Sequence, residues 1–165
     1  MSDKSVAERL QPSLLDRLID EAPEEANEDR DARVIDLRQL REIIQRDLSW
    51  LLNTSNNENL IDPEIYPNAA QSVVNFGIKE VAGDFSTSER AEMIRKSIGT
   101  AIGLFEPRIQ AGSVMVELRK EGGEQQSVVT YDIRADMWAQ PMPMELYLRS
   151  SVDVTTGELE LERIA

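Results

Sequence analysis

The chain has 165 residues, no cysteine, no histidine and a net charge of -13 from 31 acidic and 18 basic residues. That length holds one core burying roughly 68–70% of the surface exposed on unfolding, and the negative balance disfavours nucleic acid or an anionic membrane surface as the main partner. Without cysteine or histidine there is no disulfide, no thiolate or ordinary zinc site, no Ser-His-Asp arrangement and no imidazole base.

Val6, Leu10, Leu14, Leu15, Leu18 and Ile19 recur at helical spacing. Pro12 divides them, so Ser13 to Asp20 is predicted as the first helix, either packed on the body or docked as an arm on another subunit. Asp20 to Asp31 follows, with Glu21, Glu24, Glu25, Glu28 and Asp29 around Pro23, an acidic run too poor in apolar groups to order itself. It lacks the alternation and the glycine of a calcium loop. Residues 1–31 are therefore expected to form an N-terminal arm and acidic linker, and 32–165 a single domain.

From Val34 to Leu52 the pattern predicts a second helix, because Leu37, Leu40, Ile44, Leu48 and Leu51 make a stripe widened by Ile43 and Leu52. Glu42 stands four before Arg46, a favourable helical spacing. Trp50 is read as a packing residue, and Asn53 to Asn57 as the polar stop. Asn53 to Gly83 is irregular, broken by Pro63, Pro67, Gly77 and Gly83, with one short helical turn expected near Asn68 or Ala69. So long a connection is more often functional, or packed by its own side chains, than idle.

Ser86-Thr87-Ser88-Glu89 carries a capping box that opens a third helix. Ala91, Ile94, Ile98, Ala101, Ile102 and Phe105 give it an apolar face, and close approach of another backbone is a reason for Gly99 and Gly103 within it. Pro107 has no amide hydrogen and disfavours helix at Glu106, so the helix is predicted to end at Phe105 or Glu106. Glu106 and Arg108 are then fixed on a corner, either as a structural pair closing the helix end or as an exposed docking point for a partner.

Beyond the corner the period changes to two, and strands are predicted at Ser113 to Lys120, Ser127 to Arg134, Met144 to Val154 and Glu158 to Glu162. Glu121-Gly122-Gly123-Glu124 and Thr155-Thr156-Gly157 read as hairpin turns. Trp138 to Pro143, with two prolines, reads as a crossing loop or a sheet edge. The expected fold class is α+β, with N-terminal helices followed by a small, mostly antiparallel sheet.

No phosphate-binding glycine loop, dinucleotide fingerprint or metal-ligand spacing occurs, so no catalytic residue, cofactor or metal is expected. Among so many acids some pair always suits glycoside hydrolysis. Only Glu106 has a special context, and Arg108 beside it favours the ionised form, the wrong state for a general acid. No apolar run approaches the roughly 18 residues of a membrane span, and Met1 to Leu10 lacks a signal-peptide core, so a cytoplasmic protein is expected.

Phe105-Glu106-Pro107-Arg108-Ile109 after an amphipathic helix resembles the Glu-Pro-Arg signature of the small baseplate wedge family of contractile phage tails and type VI secretion, whose secretion members are called TssE. Three further pieces agree in the same order: Ser13 to Leu18, Arg46-Asp47-Leu48-Ser49-Trp50-Leu51-Leu52-Asn53-Thr54, and Ser72-Val73-Val74-Asn75-Phe76-Gly77. The leader and the Arg-Asp-Leu-Trp piece favour the secretion branch.

The resemblance implies a lysozyme-like baseplate wedge fold without enzymatic activity. It also implies a baseplate docked at the inner face of the cell envelope, without membrane insertion. The implied partners are other wedge subunits, of the TssF, TssG and TssK type, and contractile sheath subunits. Glu106, Pro107 and Arg108 would contact the wedge core, and an open strand edge between Met144 and Glu162 would template the sheath. The alternatives are a lysozyme-like peptidoglycan hydrolase and an acidic adaptor or chaperone for a basic client.

Overall fold

The structure, a computed structural model, describes residues 13–19, 23–24, 36–80, 87–119, 128–137, 144–153, 156 and 158–164. The chain divides into two compact units, residues 1–44 and 45–165. The first contains α1 (Leu14–Leu18) and the opening turns of α2 (Leu37–Leu52). Ser13 caps α1, its hydroxyl accepting from the Asp16 amide while the Asp16 carboxylate accepts from the Ser13 amide. Leu14, Leu15, Leu18 and Ile19 are exposed.

Asp36 and Gln39 cap α2 reciprocally, at 2.7 and 2.9 Å, which is why the helix begins at Leu37 and not at Val34. Glu42 pairs with Arg38 at 3.1 Å, one turn back. The acidic linker, apart from residues 23–24, and the Ser86 half of the predicted capping box lie outside the described residues.

The second unit contains the rest of α2, a short α3 (Pro67–Ala70) and a 3-10 turn at Val73–Asn75. A long α4 (Thr87–Phe105) follows, and then four strands, β1 (Met115–Arg119), β2 (Val128–Met137), β3 (Met144–Asp153) and β4 (Leu159–Arg163). The strands form one antiparallel sheet in chain order, β1-β2-β3-β4. This is the α+β class expected from the change of period.

Alternation puts Val116, Tyr131, Ile133, Ala135, Met137, Leu146, Leu148, Val152 and Leu159 on one buried face. Leu48, Leu51 and Leu52 of α2, Ala91, Ile94, Ile98, Ala101 and Ile102 of α4, and Ile109 after it are buried as well. The Tyr131 hydroxyl donates to the Ala91 carbonyl at 2.9 Å, tying sheet to helix. Burial, and then the nearby Glu92 carboxylate, push the Tyr131 phenol well above the ordinary tyrosine range, with Arg95 only partly opposing them.

β2 and β3 pair along their whole length, from Val128↔Asp153 to Met137↔Met144; the crossing loop or sheet edge expected at 138–143, like the 121–124 turn, lies outside the described residues. Two expectations need correction. A methyl at Gly99 would make only ordinary contact with Val116, and one at Gly103 would meet open space, so neither glycine serves a close backbone approach. Strand β3 has a partner on each side and offers no edge.

Nor is the outer edge of β4 free. The Asn53 side-chain amide donates to the Leu159 carbonyl at 2.8 Å and accepts from the Leu159 amide at 3.0 Å, acting as a short strand. Gln45 donates to the Leu161 carbonyl at 3.1 Å. Gln45 of α2 and Asn53, the residue just after it, thus occupy ladder positions where a further strand would begin.

Candidate functional site

The last helical bond of α4 runs from the Glu106 amide to the Ile102 carbonyl at 3.0 Å. Pro107 cannot continue the pattern, and the Ile109 amide instead closes a turn on the Glu106 carbonyl at 3.2 Å. Ile109 then bridges to Met137 at the end of β2, so helix passes to sheet within four residues. The sequence places this handover correctly.

In the turn, Arg108 folds back over Glu106. Its Nε donates to Glu106 Oε1 at 2.6 Å and its Nη2 to Oε2 at 2.5 Å, a two-pronged contact, and the Arg108 backbone amide adds a third bond to Oε1 at 3.0 Å. The Glu106 side chain is only 4% exposed, whereas that of Arg108 is 28% exposed and Pro107 faces outward. Glu106 is therefore internal, and the accessible part of the corner is the Pro107 ring with one edge of the guanidinium.

A residue that sequence reasoning did not single out completes the group. Arg108 Nη2 also donates to Asp47 Oδ2 at 2.6 Å, and Asp47 Oδ1 accepts from Arg46 at 2.7 and 2.9 Å. The Arg46 guanidinium in turn lies 4.8 Å from the centre of the Trp50 ring, which is half exposed. Charges alternate along this chain, Glu106, Arg108, Asp47, Arg46, and cancel. Burial alone would lower the Arg108 pKa, but the bonds to Glu106, with further attraction from Glu106 and Asp47, outweigh it and raise the pKa.

The signal for Asp47 was in the sequence. It stands three after Ile44 and four before Leu51, a carboxylate within the apolar stripe of α2, and a charge there requires a partner. What the sequence could not supply was the partner, since Arg108 is 61 positions away.

The loop between α2 and α4 meets the same region. Gly77 has φ +120°, and a side chain there would run into the Thr54 carbonyl, so only glycine fits. The Ile78 amide donates to the Thr54 carbonyl at 2.8 Å, the Asn56 amide donates to the Ile78 carbonyl at 2.9 Å, and Phe76 meets Phe105 edge to face with ring centres 5.4 Å apart. The pieces 46–54, 72–77 and 105–109 are thus joined in space.

Chemically this is a clamp. Both Glu106 oxygens accept from Arg108, and both Asp47 oxygens accept from arginines, so each carboxylate is already bonded within the chain. Among the described residues no group of three or more acids is arranged to hold a metal, and no helix is long and apolar enough to cross a membrane.

A protein-family model described as baseplate wedge protein gp25 matches residues 38–142, most of the chain and the whole of the clamp. No curated protein and no solved structure gives a match.

Proposed function

The chain belongs to the baseplate wedge protein gp25 family, and from that premise we propose that it is a wedge subunit of a type VI secretion baseplate. Membership makes it a structural component of a contractile injection machine. The leader and the Arg46-Asp47-Leu48-Ser49-Trp50 piece support the secretion branch. The observation that carries the mechanism is the clamp at the helix end. Glu106 and Asp47 hold Arg108 in one pose, so the Pro107 ring and the exposed guanidinium edge reach a neighbour without an ordering cost at docking.

Templating of the sheath, in this reading, uses β1. The Val116 carbonyl accepts from Arg95 at 3.3 Å and so points away from β2; alternation turns Leu118 the same way. Among the described residues nothing bonds the outward amide and carbonyl of Leu118, which can receive an incoming strand, whereas Asn53 and Gln45 take three outward groups of β4. Neighbours in the wedge would be TssF, TssG and TssK type subunits at the corner, and sheath subunits at β1.

Particles recovered from producing cells through a tag on this chain should contain wedge and sheath subunits. The purified chain should leave peptidoglycan suspensions turbid. Clearing that disappears in Glu106→Gln would establish a hydrolase instead.

A further inference from the structure

The loop from Asn57 to Asn75 is built inside out. Its buried residue is an asparagine: Asn75 accepts from the Asn57 amide at 3.0 Å and donates to the Ala70 carbonyl at 2.9 Å. Asn57 donates to the Val74 carbonyl at 2.7 Å, which closes the neck. With the polar side chains spent on backbone groups, the large apolar ones face water: Leu60 (85% exposed), Ile65, Tyr66, Val73 (79% exposed) and Val74. A loop fixed by its own bonds and apolar on the outside is a preformed contact surface.

Charge indicates what covers it. No lysine or arginine occurs between Arg46 and Lys79, while Glu58, Asp62 and Glu64 lie in the loop. Lys79 neutralises Glu58 at 2.9 Å. Asp62 and Glu64 have no basic partner among the described residues, and Asp62 Oδ1 only accepts from the Glu64 amide at 2.9 Å. A second copy would bring the same carboxylates against these and carries the same charge of -13.

We infer that the 57–75 loop is a second docking surface, occupied by a segment of a different protein that presents apolar side chains flanked by lysine or arginine. This surface uses none of the residues of the Glu106–Pro107–Arg108 corner and does not depend on the secretion reading.

Photocrosslinking from Val73, replaced by a photoreactive residue in the full chain within producing cells, tests it, with Val128 at the far end of β2 as control position. The adduct from position 73, sequenced at the crosslinked peptide, should be one other protein whose peptide carries more lysine and arginine than acid; position 128 should not give it. The double variant Asp62→Asn with Glu64→Lys, which keeps an oxygen for the Glu64-position amide, should lower the yield by about fivefold or more. An unchanged melting temperature in that variant assigns the loss to charge. The inference is overturned by an adduct with a second copy, an acidic crosslinked peptide, no adduct at position 73, or a yield that the charge change leaves intact.

Discussion

Removing the Arg108 guanidinium would strand the Glu106 carboxylate inside the chain with only its bond to the Arg108 backbone amide. Loss of one partner from a buried pair costs about 3–5 kcal/mol, most of it the burial of the unpaired charge. Arg108→Ala is therefore expected to destabilise the isolated chain by about 3 kcal/mol in urea unfolding; a loss under about 1 kcal/mol would show that Glu106 does not need its partner. That loss disqualifies Arg108→Ala as a clean probe of docking. Tyr131 gives a second test. Its phenol holds its proton in the folded state above the pH at which the unfolded chain releases it, so the unfolded state binds fewer protons and stability falls as pH rises past about 10. Compared with Tyr131→Phe, the wild type should lose up to about 1.4 kcal/mol more per pH unit there, and parallel pH profiles would contradict the assignment. Ser150 is the opposite case: its hydroxyl is buried and has no hydrogen-bond partner among the described residues. Ser150→Ala should be neutral or stabilising by thermal melting, and a loss above about 1 kcal/mol would reveal a bond that the geometry lacks.

Among the elements, α4 and the loop before it use glycine for different reasons. Gly103 has a helical backbone and empty space at its missing methyl, so Gly103→Ala should stabilise by about 0.5–1 kcal/mol. Gly77 sits at positive φ against the Thr54 carbonyl, so Gly77→Ala should cost roughly 1–3 kcal/mol. Equal shifts in melting temperature for the two variants would refute the distinction. Composition could not separate them, because both are single glycines beside a phenylalanine or leucine. Periodicity served better where a whole face is buried: α2, α4 and the four strands all stand within a few residues of their sequence positions. β2 runs on to Met137, past the predicted Arg134, since Ala135 and Met137 continue the buried alternation. The sheet edges were not legible. β4 resembles an open edge in sequence, and only the fold brings Asn53 across 106 positions to cover it.

At the scale of the whole molecule, the negative charge and the absence of histidine and cysteine narrowed the chemistry, but no residue pattern alone could reveal that two separated pieces make one clamp, with a third beside it. The Glu-Pro-Arg corner was visible because proline forces the helix to stop; Asp47, the second carboxylate on Arg108, showed only as a charge in an apolar stripe, because its partner is 61 positions away. The central claim is that this corner is held rigid for a neighbouring subunit. Pro107 allows the direct test, since it is exposed and occupies a turn position that accepts most residues. Pro107→Glu should leave the melting temperature of the purified chain within a few degrees of wild type while its recovery in sedimenting baseplate particles from producing cells falls by about tenfold or more, as loss of a central contact would give. Undiminished recovery of that variant in the particles would contradict the account.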